Sequence, residues 1–435
     1  MNGGIVCPSV HCCLLFPKGF IMLLIKNIGK LATPLGNTVH CGEKQREIKV
    51  FTDASVLISD DGKILEITEK GNMPSCPSDI ETIDAEGMLV TPGLVDAHTH
   101  LVFGGWRDHE VPLKISGASY LEILNAGGGI LNTLRATRDA SADELFDRSA
   151  EFLSEMMNLG VTTVEAKSGY GLDFENEIKQ LEVIRRLDRE TPLDVVSTFL
   201  GAHAIPSEFA GNPDGYIDYL IDNVLPVVAE RKLADFCDVF VEDTIFTAEH
   251  ARKLLIAAQR LGMPSKIHAD EINAIGGSEL AGEIGAVSAE HLLSTVDGGI
   301  ESLAKANTVA CLLPCTSLYL DKPFARARDM INAGVPVAIA TDFNPGSCPS
   351  LNIQLAMNMG YIRYRMYPEE ILTAVTLNAA CALGMGDRIG TTEKGKQADF
   401  VIWNVKDLSM LCYRMGSNQA KTVIKKGKIY DRRKN

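Results

Sequence analysis

Eight apolar, strand-like runs alternate with helix-like stretches between residues 93 and 340, and short strands with turns occupy both ends of the chain. Alternation of this kind predicts a parallel sheet wrapped by helices, and eight units of it predict a closed (β/α)8 barrel of the TIM type. The two chain ends predict a small β-sandwich that they build together. The expected class is α/β, with residues 22–90 and 391–435 in the sandwich and 91–390 in the barrel. Residues 1–21 are expected to be a leader outside both, disordered or absent from the natural protein.

The leader is apolar, but its first charged side chain is Lys18, so it lacks the basic start of an export signal. Leu23-Leu24-Ile25-Lys26-Asn27-Ile28 then opens a strand, which makes Met22 the expected natural start. Strand-like runs at 56–58 and 64–67 flank Asp61-Gly62, a hairpin signal. The eight barrel strands are expected at 93–98, 162–166, 195–200, 236–241, 265–268, 286–288, 308–313 and 335–340. Helix punctuation supports them: Ser141-Ala-Asp-Glu144 is a capping box, and Gly160, Gly262 and Gly334 are C-terminal stops. Strands at 398–403, 422–424 and 428–430, the last two joined by Lys426-Gly427, complete the sandwich.

A 435-residue chain that is 46% hydrophobic can bury both cores. Its 42 basic and 56 acidic residues leave a net charge of -14, which argues against nucleic-acid and anionic-membrane partners. No run of about 20 uninterrupted apolar residues suggests a transmembrane helix. Eleven scattered cysteines match neither a zinc ribbon nor a secreted disulfide framework, so a reducing cytoplasm is the expected compartment. Cys7, His11, Cys12 and Cys13 have no second ligand pair nearby and are read as ordinary leader residues.

Chemistry in such barrels sits at the C-terminal strand ends. There the first strand runs into His98-Thr99-His100, and side-chain alternation puts both imidazoles on one face. An isolated pair of this kind also occurs as half-buried filler. Co-location decides against that reading, because His98, His100, His109, His203, His268 and His291 all follow a strand in the same sense. His109 is the weakest of the six. Three imidazoles and one carboxylate suit Zn2+ or a similar divalent ion with a position left for water, and the assignment is His98, His100, His268 and Asp342. An ion so held lowers the pKa of bound water to about 7. Asp342 is placed to take the water's proton and pass it to a leaving nitrogen.

These residues resemble the amidohydrolase superfamily and, within it, the imidazolonepropionase family, over residues 22–430. The broad marks are His98-Thr-His100, His268, His291, Asp342 and Gly395-Lys-Gln-Ala-Asp399. The narrow ones are Ala126-Gly-Gly-Gly-Ile-Leu131, Lys167-Ser-Gly-Tyr-Gly-Leu172, Gly201-Ala-His-Ala204, Ile267-His-Ala-Asp-Glu271 and Ala340-Thr-Asp-Phe-Asn-Pro-Gly346.

The resemblance implies one Zn2+ or iron ion (Fe2+ or Fe3+) per subunit. It also implies hydrolysis of a small molecule, 4-imidazolone-5-propanoate, to N-formimidoyl-L-glutamate in histidine degradation. His291 would stabilise the oxyanion, and Glu271 would bond the ring nitrogens and help move protons. Arg107, Tyr170 and His203 would contact substrate, with Arg107 on the propionate, and Asn344, Gly346 and Ser347 would line a substrate loop. A plain turn after Pro345 accounts for Gly346 and Ser347 nearly as well. Lysines at strand ends can be carboxylated to bridge two metals in related hydrolases, but the resemblance favours one metal and no such role for Lys167. A homodimer is expected by analogy alone. Two competing readings are a mononuclear deaminase of a nucleobase, for which Arg107 would have no carboxylate to hold, and a non-enzymatic barrel, which would have lost ligands.

Overall fold

The computed structural model describes residues 22–117 and 128–431. The expected leader, with Cys7, His11, Cys12 and Cys13, lies outside the described residues, as do Ala126 and Gly127 of the glycine-rich motif. Five strands open the fold: β1 (Leu23–Thr33), β2 (Lys49–Ile58), β3 (Ile64–Thr68), β4 (Glu81–Asp84) and β5 (Leu89–Pro92). The barrel follows with β6 (Leu94–Asp96), β7 (Val161–Lys167), β8 (Asp194–Ala202), β9 (Phe236–Val241), β10 (Lys266–Ala269), β11 (Ser288–His291), β12 (Val309–Leu312) and β13 (Val337–Ile339). Three strands return to the first group: β14 (Phe400–Trp403), β15 (Ala420–Lys425) and β16 (Lys428–Asp431).

The small β-sandwich is one hydrogen-bonded path, β16-β15-β14-β5-β1-β2-β3, with β4 beside β1. Its two halves meet where β5 lies parallel to β1 on one side and antiparallel to β14 on the other. Alternation along these strands drives Ile25, Val56, Ile58, Ile64, Val90, Phe400, Ile402 and Ile424 into a shared core, so neither chain end has a complete core alone. From β5 the chain passes through Pro92-Gly93 straight into β6. A methyl group on Gly93 would stand 2.3 Å from Thr162 Oγ1, so only glycine allows β6 to lie this close to β7.

Within the barrel, neighbouring strands from β6 to β13 pair in parallel and in chain order. Closure comes just beyond the strand ends, where Asp342 N donates to His98 O at 3.0 Å and His100 N to Phe343 O at 2.9 Å. The sixth barrel strand is Ser288–His291 rather than 286–288, because Glu290 and His291 continue the pairing with His268 and Ala269. Local punctuation acts as the sequence indicates. Ser141 and Glu144 form a reciprocal capping box on the helix Ala142–Asn158, and Gly160, Gly262 and Gly334 take left-handed φ values of 101°, 85° and 87°. Among the described residues no helix is long and apolar enough to cross a membrane.

Sandwich and barrel are pinned by Lys425, whose buried Nζ lies 2.7 Å from Asp194 Oδ2 at the start of β8 and 2.8 Å from Asp399 Oδ2. Burial opposes ionisation of Asp194, but Lys425 and Lys426 outweigh it and hold the carboxyl at about 2. Stability from this contact is complete above the ordinary value of 3.8 and is lost as the pH falls through about 2. Lys425→Met, which removes the buried ammonium shared by Asp194 and Asp399 and leaves Asp194 to Lys426, is expected to cost about 3 kcal/mol in urea unfolding at neutral pH. That cost should shrink in acid; a variant as stable as the parent would show that the contact does not hold the two parts together.

Candidate metal centre and active site

Beyond β6 the backbone stays extended, so His98 and His100 both face the barrel mouth, where β10 brings His268 and the segment after β13 brings Asp342. His98 Nε2 and His100 Nε2 lie 3.5 and 3.6 Å from Asp342 Oδ1, and His268 Nε2 lies 3.4 Å from His100 Nε2. Four ligand atoms about 2.1 Å from a common centre stand about 3.4 Å apart at the corners of a tetrahedron. His98, His100 and Asp342 are thus spaced for a cation, with His268 Nε2 at a similar distance from His100. Both ring nitrogens of His98 are buried without a hydrogen-bond partner, a costly arrangement that a bound ion would relieve. Asp342 Oδ2 accepts from Thr316 Oγ1 at 2.6 Å, which leaves Oδ1 for the imidazoles. His291 forms a further metal-competent trio with His98 and His268.

Burial sets the charge states. It pulls His98 and His100 well below the usual imidazole range, reinforced by Lys167 beside His98 and by His203 and His268 beside His100. Both rings therefore offer lone pairs at neutral pH. Burial likewise drives His291 and His203 down to about 3, and raises the Asp342 carboxyl and the Tyr170 phenol above their usual values. Glu271 is lifted to about 7 by burial, with Glu242 adding to the rise and His268 opposing it. Backbone strain also concentrates here: Asp342 and His291 hold left-handed φ values of 58° and 69° that turn their side chains into the mouth.

The remaining sequence-selected residues gather around this cluster. His203 stacks on His100 with ring centroids 4.9 Å apart, and Tyr170 sits 5.4 Å from His203. His203 Nδ1 lies 3.1 Å from Gly169 O, and since a carbonyl only accepts, the proton is on Nδ1 and Nε2 keeps a free lone pair. Glu271 Oε2 is 3.6 Å from His291 Nε2. Arg107 crosses to the loop after β13, where a methyl group on Gly346 would fall 0.9 Å from its Nη2. The backbone of Gly346 is not left-handed, so glycine is needed here to admit the guanidinium and not to make a turn. Asn344 organises that loop: its Oδ1 accepts from Gly346 N and Ser347 N at 2.8 and 2.7 Å, and its Nδ2 donates to Asp342 O and Ser347 Oγ at 2.7 and 2.8 Å. His109 is exposed, apart from the cluster.

Several residues that shape the site were given no role by the sequence, although Glu242 and Glu290 already stand at the ends of their strands there. Glu177 Oε1 accepts from Gly169 N, Gly171 N and Leu172 N at 3.2, 2.9 and 2.8 Å, and Gln180 Oε1 takes Tyr170 N at 3.0 Å, so the helix Phe174–Glu190 moulds the tyrosine loop. Glu242 does the same for the segment after Glu271, accepting from Ile272 N and Asn273 N. Glu165, Asp238, Lys266 and Glu290 are fully buried inside the barrel. An available signal was the charge itself, since each interrupts an apolar strand, and Glu165 and Lys266 lie two residues from Lys167 and His268. The Lys167 ammonium lies 3.0 and 2.8 Å from the Glu165 and Asp238 carboxylates.

A family model described as the amidohydrolase family matches residues 89–430. An imidazolonepropionase of Thermoanaerobacter pseudethanolicus is 50% identical over 403 residues, covering 93% of this chain and 96% of that one. Another from Fusobacterium nucleatum is 46% identical over 412 residues, covering 94% and 98%. The chain belongs to the imidazolonepropionase family of the amidohydrolases. Members of this family hydrolyse a carbon–nitrogen bond in a cyclic amide, and this chain is such a hydrolase. The family's fold recurs in E. coli guanine deaminase, with a TM-score of 0.71 at 16% identity, covering 94% of this chain and 99% of that one. It recurs also in a zinc-bound adenosine deaminase from Xanthomonas campestris, with a TM-score of 0.68 at 21% identity, covering 94% and 92%.

Two outcomes test the site. His98→Ala or His268→Ala should lower metal content and activity together while the fold persists; full activity with normal metal in either would show the cluster to be misassigned. Gly346→Ala should displace the Arg107 guanidinium and lower kcat/KM roughly tenfold, about 1.4 kcal/mol, with unchanged metal content. Wild-type kinetics in that variant would mean that the close approach of Arg107 has no bearing on substrate.

Proposed function

We propose that this chain opens the ring of 4-imidazolone-5-propanoate with water to give N-formimidoyl-L-glutamate, in the cytoplasm, as a step of histidine degradation. It carries one Zn2+ or iron ion per subunit, held by His98, His100, His268 and Asp342, and works as a homodimer by analogy with related barrels. The observation that carries the reading is the union of a cation-spaced cluster with a guanidinium. Arg107 reaches the substrate loop with its buried Nε unpartnered among the described residues. That is a receptor for a carboxylate remote from the reacting carbonyl. A neutral nucleobase would leave it unpaired.

A divalent ion in the cluster supplies Lewis acidity and brings the pKa of a coordinated water to about 7. In the reaction the water oxygen bonds to the ring carbonyl carbon, the amide carbon–nitrogen bond breaks, and the water's proton ends on the released nitrogen. Asp342 carries that proton, its carboxylate held in place by Thr316 Oγ1, which donates to Oδ2. His291, neutral through burial, donates a ring N–H to the developing oxyanion. The free Nε2 of His203 accepts from a ring N–H, and Tyr170 packs beside it. Glu271 faces the ring nitrogens, with Asn344, Gly346 and Ser347 forming the wall against which Arg107 lies.

Turnover of enzymatically generated substrate, followed by its ultraviolet loss alongside metal analysis of the same sample, tests the whole reading. Arg107→Met is expected to lose at least about tenfold in kcat/KM with unchanged metal, and Arg107→Lys less, because an ammonium cannot fork onto a carboxylate. Unaltered kinetics in the Met variant would remove the argument for an acidic substrate. Because Glu271 titrates at about 7 and must be ionised to accept a ring proton, kcat/KM should fall below pH 7, and Glu271→Gln should abolish that acid limb. An identical limb in the variant assigns the titration to another group.

A further inference from the structure

Barrel interiors of this type are ordinarily filled with branched apolar side chains. Here the space behind His268 holds three carboxylates, Glu165, Asp238 and Glu290, and two ammoniums, Lys167 and Lys266, all fully buried. Lys167 Nζ lies 2.8 Å from Asp238 Oδ2 and 3.7 Å from Glu290 Oε2, and Lys266 Nζ lies 2.9 Å from Glu165 Oε1 and 3.7 Å from Glu290 Oε1. Thr198 Oγ1 and Ser288 Oγ donate to Glu165 and Glu290 at 2.5 and 2.6 Å. Burying such a layer is expensive, and apolar residues of similar volume would serve stability as well. Stability alone therefore does not account for it.

The layer touches the metal-competent cluster most closely at Asp238. Its Oδ1 accepts from His268 N at 3.2 Å and from Val239 N at 2.7 Å, and its Oδ2 lies 2.9 Å from His268 Nδ1. Asp238 thus holds the backbone of His268 by a hydrogen bond and its ring by a close ion-pair contact. An ionised carboxylate only accepts, so the proton belongs on Nδ1 and the lone pair on Nε2, which points toward His100. Among the described residues no other ring of the cluster has a carboxylate this close. His98 Nδ1 stands 3.9 Å from Glu290 Oε2, beyond a hydrogen bond, and His100 Nδ1 has no partner.

We propose that Asp238 is a positioning residue that fixes His268 in the Nδ1–H tautomer with Nε2 aimed at the divalent ion, and that Lys167 locks Asp238 in place. The inference rests on the metal reading of the cluster. Counted as ionised, although burial raises Glu290, the three carboxylates and two ammoniums leave one negative charge, the complement of a divalent ion held by neutral imidazoles and a single carboxylate. Lys167 then serves the ion from behind, as a counter-charge to Asp238, and its amine is committed to that pairing.

Metal-stripped wild type, Asp238→Asn, Asp238→Ala and His268→Ala, each titrated with Zn2+ against a chromophoric chelator, test this. Both Asp238 variants are expected to bind Zn2+ about 10- to 100-fold more weakly, and their Co2+-loaded forms to show altered visible bands. In the metal-free wild type, at a pH high enough to leave one proton on a ring whose pKa Asp238 raises, 15N resonances of His268 should place that proton on Nδ1 and leave Nε2 bare. Wild-type Zn2+ affinity in both Asp238 variants, or that single proton on Nε2 in the wild type, overturns the proposal. If the Asp238 variants do not fold, the wild-type tautomer decides alone. Full Zn2+ affinity in His268→Ala would instead sink the metal reading itself, whereas loss there with intact affinity in both Asp238 variants sinks only the role of Asp238.

Discussion

Everything at the barrel mouth depends on how the barrel closes. The first and last strands meet through Asp342 N to His98 O and His100 N to Phe343 O, so the residues that shut the cylinder are those whose side chains form the cluster. Asp96 reinforces the seam from below, accepting from Thr341 N at 3.0 Å and Thr341 Oγ1 at 2.6 Å. A carboxylate and two imidazoles far apart in the chain are brought to tetrahedral spacing by main-chain bonds.

Burial then converts the cluster into a chemically competent one. Removing water keeps His98 and His100 neutral and makes the phenol and carboxyls reluctant to ionise, while the Asp238 carboxylate raises His268 instead. The loops around it gain rigidity in the same way. Glu177, Glu242 and Asn344 each collect backbone N–H groups from an irregular segment that has no ladder of its own. Binding residues can therefore sit on loops without being loosely held.

The fold by itself leaves the substrate open, since guanine and adenosine deaminases share it at low identity. In this chain the guanidinium of Arg107 lies against the bare backbone of Gly346, where a side chain would leave it no room. A guanidinium so placed has lost part of its hydration and recovers that cost only when an anion pairs with it.

The sequence by itself determined the eight barrel strands, the sandwich drawn from both ends though not its strands β4 and β5, and the imidazoles at the strand mouths. Those features rest on local periodicity: alternation puts His98 and His100 on one face, and glycines such as Gly160 and Gly262 mark helix ends wherever the helices pack. The sixth strand was displaced because 286–288 is its apolar start, while Glu290 and His291 are held in it by pairing with β10. Tertiary structure alone decided which carboxylate stands behind which ring, that Lys167 is spent on Glu165 and Asp238, and that Gly346 makes room for Arg107. These depend on distances between segments that share no local pattern. Periodicity can say which way a side chain points, but only the closed barrel fixes what it meets there.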